Sequence, residues 1–242
     1  MPKRYKKPPV VEATCTFLFD AESSEDITIP GLMYGHLRDA YPVRHRAAAS
    51  DVQEGKGESV NLAVRGVAKF STEDGRSIVQ VAPRSLSISQ LPPYEGWGKL
   101  IVRIERALAA YVLTVNPKEI QGSLLAYNNR IDLPNPPVRI EDFLDFYPYL
   151  GERLPQEISL FSLSVQRAYE DRHEALQMQL QSWNQPSNLA VSLMLLLSYT
   201  SNEKRHASWE AVSELLELAH SRVSESFEGS LKDSARSLFE PV

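Results

Sequence analysis

Residues Leu91–Val115 read LPPYEGWGKLIVRIERALAAYVLTV. Two prolines and a glycine close whatever precedes them, and Trp97 then opens a helix. Ile101, Ile104, Leu108, Tyr111 and Val115 recur at steps of three and four, which is one stripe of an amphipathic helix. Arg103, Glu105 and Arg106 fall off that stripe. Asn116-Pro117 ends the helix, because a proline disfavours helical geometry in the residue before it. A second Trp-led helix opens at Trp209, capped by Ser208. Its stripe is Val212, Leu215, Leu216, Ala219, Val223, Phe227, Leu231 and Leu238, and Gly229 offers a place to bend. Trp97 and Trp209 are therefore read as structural anchors at two helix starts.

Outward from these helices, the apolar period is that of strands. Val10–Phe19 is rich in β-branched and aromatic residues and contains Cys15. Val60, Leu62 and Val64 alternate with polar or small neighbours within Ser59–Phe70, and Glu73-Asp74-Gly75 is a hairpin turn. Arg76–Ala82 and Arg84–Gln90 follow as two strands, in which Leu86 and Ile88 alternate with Ser85, Ser87 and Ser89. Ile120–Leu133 is a strand, Ile158–Tyr169 another, and Glu174–Trp183 sets Leu176, Met178 and Leu180 against three glutamines. Asn188–Tyr199 reads as a buried strand. Short helices are expected at Ile29–Tyr41 and Val138–Tyr147, each stopped by a Tyr-Pro pair or its equivalent.

The order appears twice. The expected fold is α+β, with two pseudo-repeated strand–helix–three-strand–helix halves, mostly antiparallel sheet, and the long helices on one face. Residues 1–9 form a basic tail, 10–118 the first half and 119–242 the second, within a single compact unit. The pattern leaves open whether the halves share one sheet or form two.

The chain has 242 residues, 43% hydrophobic and 24% charged, with a net charge of −5 and a pI of about 5.6. An acidic balance leaves no global footprint for nucleic acid or an anionic membrane. Residues 1–120 carry 16 Lys and Arg against 14 Asp and Glu; residues 121–242 carry 10 against 17. The single cysteine precludes an intramolecular disulfide and fits a reducing cytoplasm. The longest apolar run, Leu193–Leu197, is too short to cross a bilayer.

The familiar catalytic motifs are missing: no glycine-rich phosphate loop, no GxSxG, no HExxH and no CxxC. The histidines stand alone, and His220 beside Glu217 reads as a structural or solvent-facing residue. Cys15 in a strand reads as a small hydrophobe. The acidic pairs in turns point to water. Tyr127-Asn128-Asn129-Arg130 is the polar interruption that needs explaining, because buried amides and guanidinium groups need partners. One reading buries Arg130 against a carboxylate from a packed helix. The other sets it on an open sheet face, toward a ligand or partner.

The chain also resembles a sporadically distributed prokaryotic family of about this length that has no assigned activity. The likeness rests on Pro8-Pro9-Val10-Val11-Glu12-Ala13, Phe17-Leu18-Phe19-Asp20, Pro30-Gly31-Leu32 and Leu91-Pro92-Pro93-Tyr94. It continues through Gly96-Trp97, Tyr127–Ile131, Phe146-Tyr147-Pro148, Ala219-His220, Phe227-Glu228 and Asp233–Glu240. It supplies no catalytic residues or cofactor. It implies an accessory role in mobile-element or antiviral-defence loci. The repeat order is further similar to the duplicated saddle of TATA-binding proteins, a likeness of fold alone.

The expected function is a non-enzymatic protein-interaction module, an accessory or regulatory subunit in the cytoplasm that binds a protein encoded nearby. Its candidate interaction residues are Ser87, Ser89, Asn128, Asn129 and Arg130. The alternatives are nucleic-acid binding through the sheet concavity and the KRYKK tail, and an enzyme whose site gathers Asn128 and Arg130 with Glu12 or Asp132. No cofactor, metal or membrane is implied.

Overall fold

The computed structural model describes residues 4–20, 28–45, 68–82, 84–134, 139–154, 158, 160–169, 173–183 and 191–242. The β-branched run at the start forms β1 (Val10–Phe19), and α1 (Ile29–Leu37) follows. Next come β2 (Val43–His45), β3 (Ala68–Ser71), β4 (Ser77–Ala82), β5 (Ser85–Gln90) and α2 (Trp97–Val115). The second half runs β6 (Glu119–Asp132), β7 (Ser162–Ala168), β8 (Glu174–Trp183), β9 (Ser192–Ser201), β10 (Arg205–His206), α3 (Trp209–Ser230) and α4 (Asp233–Leu238).

The fold is α+β around one sheet. Ten strands join in the order β2-β3-β4-β5-β1-β6-β9-β8-β7, with β10 also on β6. Every pairing is antiparallel. The two halves meet where β1 pairs with β6, from Val10 opposite Asn129 to Phe19 opposite Ile120.

Strand alternation divides the sheet into two faces. Ala13, Cys15, Phe17 and Phe19 of β1, Leu86 and Ile88 of β5, Leu125 of β6 and Leu193, Leu195 and Leu197 of β9 are all essentially inaccessible. Against them lie Leu100, Ile104, Ala107, Leu108 and Tyr111 of α2 and Val212, Leu215, Leu216, Ala219 and Val223 of α3. The α3 stripe is the expected one as far as Val223. In α2 the buried stripe is centred one residue earlier than expected, on Leu100 and Ala107, and Ile101 and Val115 are only half-buried. Gly96 precedes α2 at φ 95°, a backbone that favours glycine, and Asn116 closes α2 in the left-handed conformation. Ser208 caps α3 by accepting from Ala211 N.

Three expectations need correction. Val138–Tyr147 is not a short helix; its helical part, among the described residues, is a single 3₁₀ turn at Ile140–Asp142. The backbone after that turn is held elsewhere, with Asp145 N donating to Ser230 O and Lys232 N donating to Phe143 O. The Trp209 helix does not bend at Gly229 but stops at Ser230, where Leu231 bridges Leu144 and α4 begins afresh. The basic tail expected over residues 1–9 is tied down over its described part, although Arg4, Lys6 and Lys7 are exposed. Tyr5 pairs with Pro241, Lys6 N and Lys7 N donate to Glu240 O and Phe239 O, and the Tyr5 ring stands edge-on to Phe227 and Phe239.

The strand expected over 59–70 is seen from Ala68 onward; its start lies outside the described residues. Among the described residues no helix is long and apolar enough to cross a membrane.

Candidate functional site

The face of the sheet opposite α2 and α3 is built from register alone, because directly opposed residues of an antiparallel pair share a side. One cross-sheet row runs Ser164, Gln179, Leu196, Asn128 and Glu12. The row beside it runs Ser162, Gln181, Met194 and Arg130. On the other side lies Gln166, Gln177, Ser198, Ala126, Thr14 and Ser89, followed by Ala168, Ala175, Thr200, Leu124, Thr16 and Ser87.

Four of the five candidate residues therefore share this side of the sheet, Ser87, Ser89, Asn128 and Arg130, although Ser87 is buried there. Asn129 does not. It points the other way, is 2% exposed, and donates its amide to Leu195 O at 3.1 Å and Tyr127 O at 3.4 Å. It belongs to the core, where an unpartnered amide would be costly.

Arg130 contradicts the reading of a guanidinium buried against a helix carboxylate. Its Nε donates to Asp132 Oδ1 on the same strand at 2.9 Å, and the two side chains are 34% and 54% exposed. Ser192 Oγ donates to the same Asp132 oxygen at 2.6 Å. Glu12 accepts from Thr14 Oγ1. The face thus gathers Glu12, Asn128, Arg130 and Asp132, but two of the charges neutralise each other.

The two flanks of the face differ. Toward the first half, hydroxyls pair across strands, Thr16 with Ser87 at 2.9 Å and Thr14 with Ser89 at 2.7 Å. Thr16, Ser85 and Ser87 are buried. Toward the second half, Met194 and Leu196 are partly buried but stand outside the packed core, flanked on β8 by Gln177, Gln179 and Gln181. Trp183 adds a 43% exposed indole at the same end, opposite Ser192. Met194 and Leu196 were missed because Leu193–Leu197 reads as a continuous buried run. Their period-two neighbours, the glutamines of β8, were the available signal.

The opposite face holds a polar cluster at the junction of the helices. Trp97 and Trp209 stand at the first positions of α2 and α3. The Trp97 ring stacks on His220 at 4.3 Å and 8°, and its Nε1 donates to Glu217 at 2.9 Å. The Tyr127 hydroxyl is hydrogen-bonded to His220 Nδ1 at 3.2 Å and to the Tyr94 hydroxyl at 3.1 Å. Burial lowers the imidazole pKa from 6.5 to about 4. Burial likewise drives Tyr127 well above the ordinary phenol range. Burial raises the Cys15 thiol too, which suits an inert side chain.

At the edge of α3, Arg222 lies 3.7 Å over the Tyr169 ring and bonds both Glu174 and the Tyr199 hydroxyl. Among the described residues no group of three or more His, Cys, Asp or Glu is placed to hold a metal ion. A shallow cleft of about 520 Å³ is lined by Asn116, Lys118, Glu119, Lys204, Arg205 and His206, at the start of β6 and away from the end that carries Asn128 and Arg130. Comparison of the chain with protein-family models, with curated proteins and with solved structures returned no match.

Proposed function

We propose that the chain is a non-enzymatic protein-interaction module, an accessory or regulatory subunit that grips its partner with the open face of β6, β9 and β8. The observation that carries this reading is the setting of Met194 and Leu196. Two partly exposed apolar side chains lie between Gln177, Gln179 and Gln181 on one side and Asn128 and the Arg130–Asp132 pair on the other. An apolar centre with a polar, charge-poor rim is the composition of a protein–protein interface. The uncharged amides suit backbone and side-chain hydrogen bonding to a folded partner.

Nucleic acid is a poorer fit for the same face, because phosphate binding needs unpaired cations. Arg130 is engaged by Asp132, and Lys7 of the tail is engaged by Glu240 at 2.5 Å. An accessory place in a mobile-element or antiviral system is the biological setting implied by the family resemblance, and the identity of co-transcribed genes is its test.

The experiment is affinity capture of proteins encoded beside this one, with wild type and Leu196→Glu compared at equal folding by circular dichroism. The expected result is a partner held by wild type and lost by L196E, with Gln179→Lys weakening it. Retention of no neighbour by wild type, or equal retention by L196E, contradicts the proposal.

A further inference from the structure

The two ends of the sheet are finished differently. In the first half the sheet ends on β2, an edge strand of three residues, Val43–His45, and a very short edge offers little to pair with. In the second half β7 is the last strand of the sheet order, and all but one of its residues are exposed. β7 has no proline, lysine or bulge, and Arg167 is the single charge along its edge.

The free groups of β7 can be assigned. Phe161 O accepts from Ser182 N, and Tyr169 N donates to Glu174 O. Backbone direction alternates along an antiparallel strand, so Leu163, Val165 and Arg167 also turn their groups toward β8. Ser162, Ser164, Gln166 and Ala168 turn theirs outward, and these N–H and C=O groups have no partner among the described residues.

We infer that β7 pairs with β7 of a second copy of this chain, antiparallel about a two-fold axis at Val165. This register sets Ser164 against Gln166 and Ser162 against Ala168. Every outward N–H then meets an outward C=O, with none left over. Val165, 48% exposed, packs on its own counterpart. The strand's one charge, Arg167, faces Leu163 of the copy. The two Arg167 residues are held about 14 Å apart, beyond the screening length at physiological salt. A register shifted by one residue would set outward groups against inward ones, and one shifted by two would leave an outward residue at each end unpaired. Leu160, 64% exposed and two residues before β7, lies at the margin of the same edge. The dimer extends each sheet into the other and leaves the Met194–Leu196 face free on both copies.

Val165 would form a non-hydrogen-bonded cross-strand pair, the arrangement with the closest side chains. Val165→Cys therefore tests the register directly, since the native Cys15 is wholly buried and supplies no competing thiol. The expected results are a wild-type mass of twice 27.2 kDa by light scattering and a disulfide-linked dimer of V165C under mild oxidation. Leu113→Cys, on the exposed face of α2, should not cross-link. Val165→Lys, which sets two ammonium groups on the axis, should run at the monomer mass with an unchanged circular dichroism spectrum. A wild-type monomer from micromolar to sub-millimolar concentration overturns the inference, including one whose edge instead takes up a strand of another protein. A dimer that V165K leaves intact, or V165C that cross-links no faster than L113C, overturns it as well.

Discussion

Acidification to pH 5 should loosen the junction of α2 and α3 through His220. The imidazole is wedged between the Trp97 ring and the Tyr127 hydroxyl, and its pKa falls from 6.5 to about 4 because burial disfavours the cation. A group whose folded pKa is depressed contributes its full stability above the unfolded pKa and loses it as pH falls toward the folded one. The window is therefore pH 6.5 down to 4. The whole gap corresponds to about 3 kcal/mol, of which about 2 kcal/mol is lost between pH 7 and pH 5. The ring is only partly shielded, so solvent screening trims that to about 1–1.5 kcal/mol. Protonation makes both ring nitrogens donors, so the Tyr127 hydroxyl can then only accept from Nδ1. The neighbouring Glu217 carboxylate, engaged by Trp97, offers the new charge only part of its field.

The assay is urea unfolding of wild type and His220→Gln at pH 7 and pH 5. Carboxylates elsewhere titrate equally in both proteins, so the difference between their pH effects isolates His220. H220Q should start less stable at pH 7, having lost the stack, and should lose about 1 kcal/mol less than wild type on acidification. Equal pH dependence in the two proteins refutes the reasoning, as does an NMR titration of His220 with a midpoint at or above 6.5.

The termini and the sheet yield further tests. Tyr5→Ala removes the hydrogen bond to Glu228 and the edge contacts to Phe227 and Phe239, and should cost about 2 kcal/mol in urea unfolding; Lys6→Ala, on the exposed side of the same clasp, should cost little. Asn129→Ala should destabilise by about 1–3 kcal/mol by leaving Leu195 O without its side-chain donor, whereas Asn128→Ala on the open face should stay within about 0.5 kcal/mol. Cys15, fully buried with its thiol pKa raised by desolvation, should react with a thiol reagent only at the rate of unfolding; prompt labelling of the native protein would place β1 elsewhere.

Much of the architecture was legible because burial writes a period into the chain. The helices from Trp97 and Trp209 and the strands Val10–Phe19, Ser85–Gln90 and Glu174–Trp183 each show their period locally. What periodicity cannot say is which side of a strand the helices cover. In Tyr127-Asn128-Asn129-Arg130 the alternation separates Asn129 from its two polar neighbours, but three adjacent polar residues look alike until Leu195 O appears across the strand. The Trp97–Glu217 contact joins residues 120 apart, and nothing local to either one announces the other. The helix expected over Val138–Tyr147 failed for the same reason. Its backbone is claimed by the α3–α4 connection, a non-local competitor that outweighs local propensity.

The central claim is that the β6–β9–β8 face does the binding, and the methionines allow it to be read directly. Met194 lies on the open face, Met33 lies in the core and Met178 shares the helix-covered side of β8. With methyl-labelled methionine and a partner identified by capture, the spectrum is recorded as the partner is added. The account predicts that the Met194 methyl shifts or broadens while that of Met33 stays in place. A bound complex in which Met194 is unmoved would contradict it.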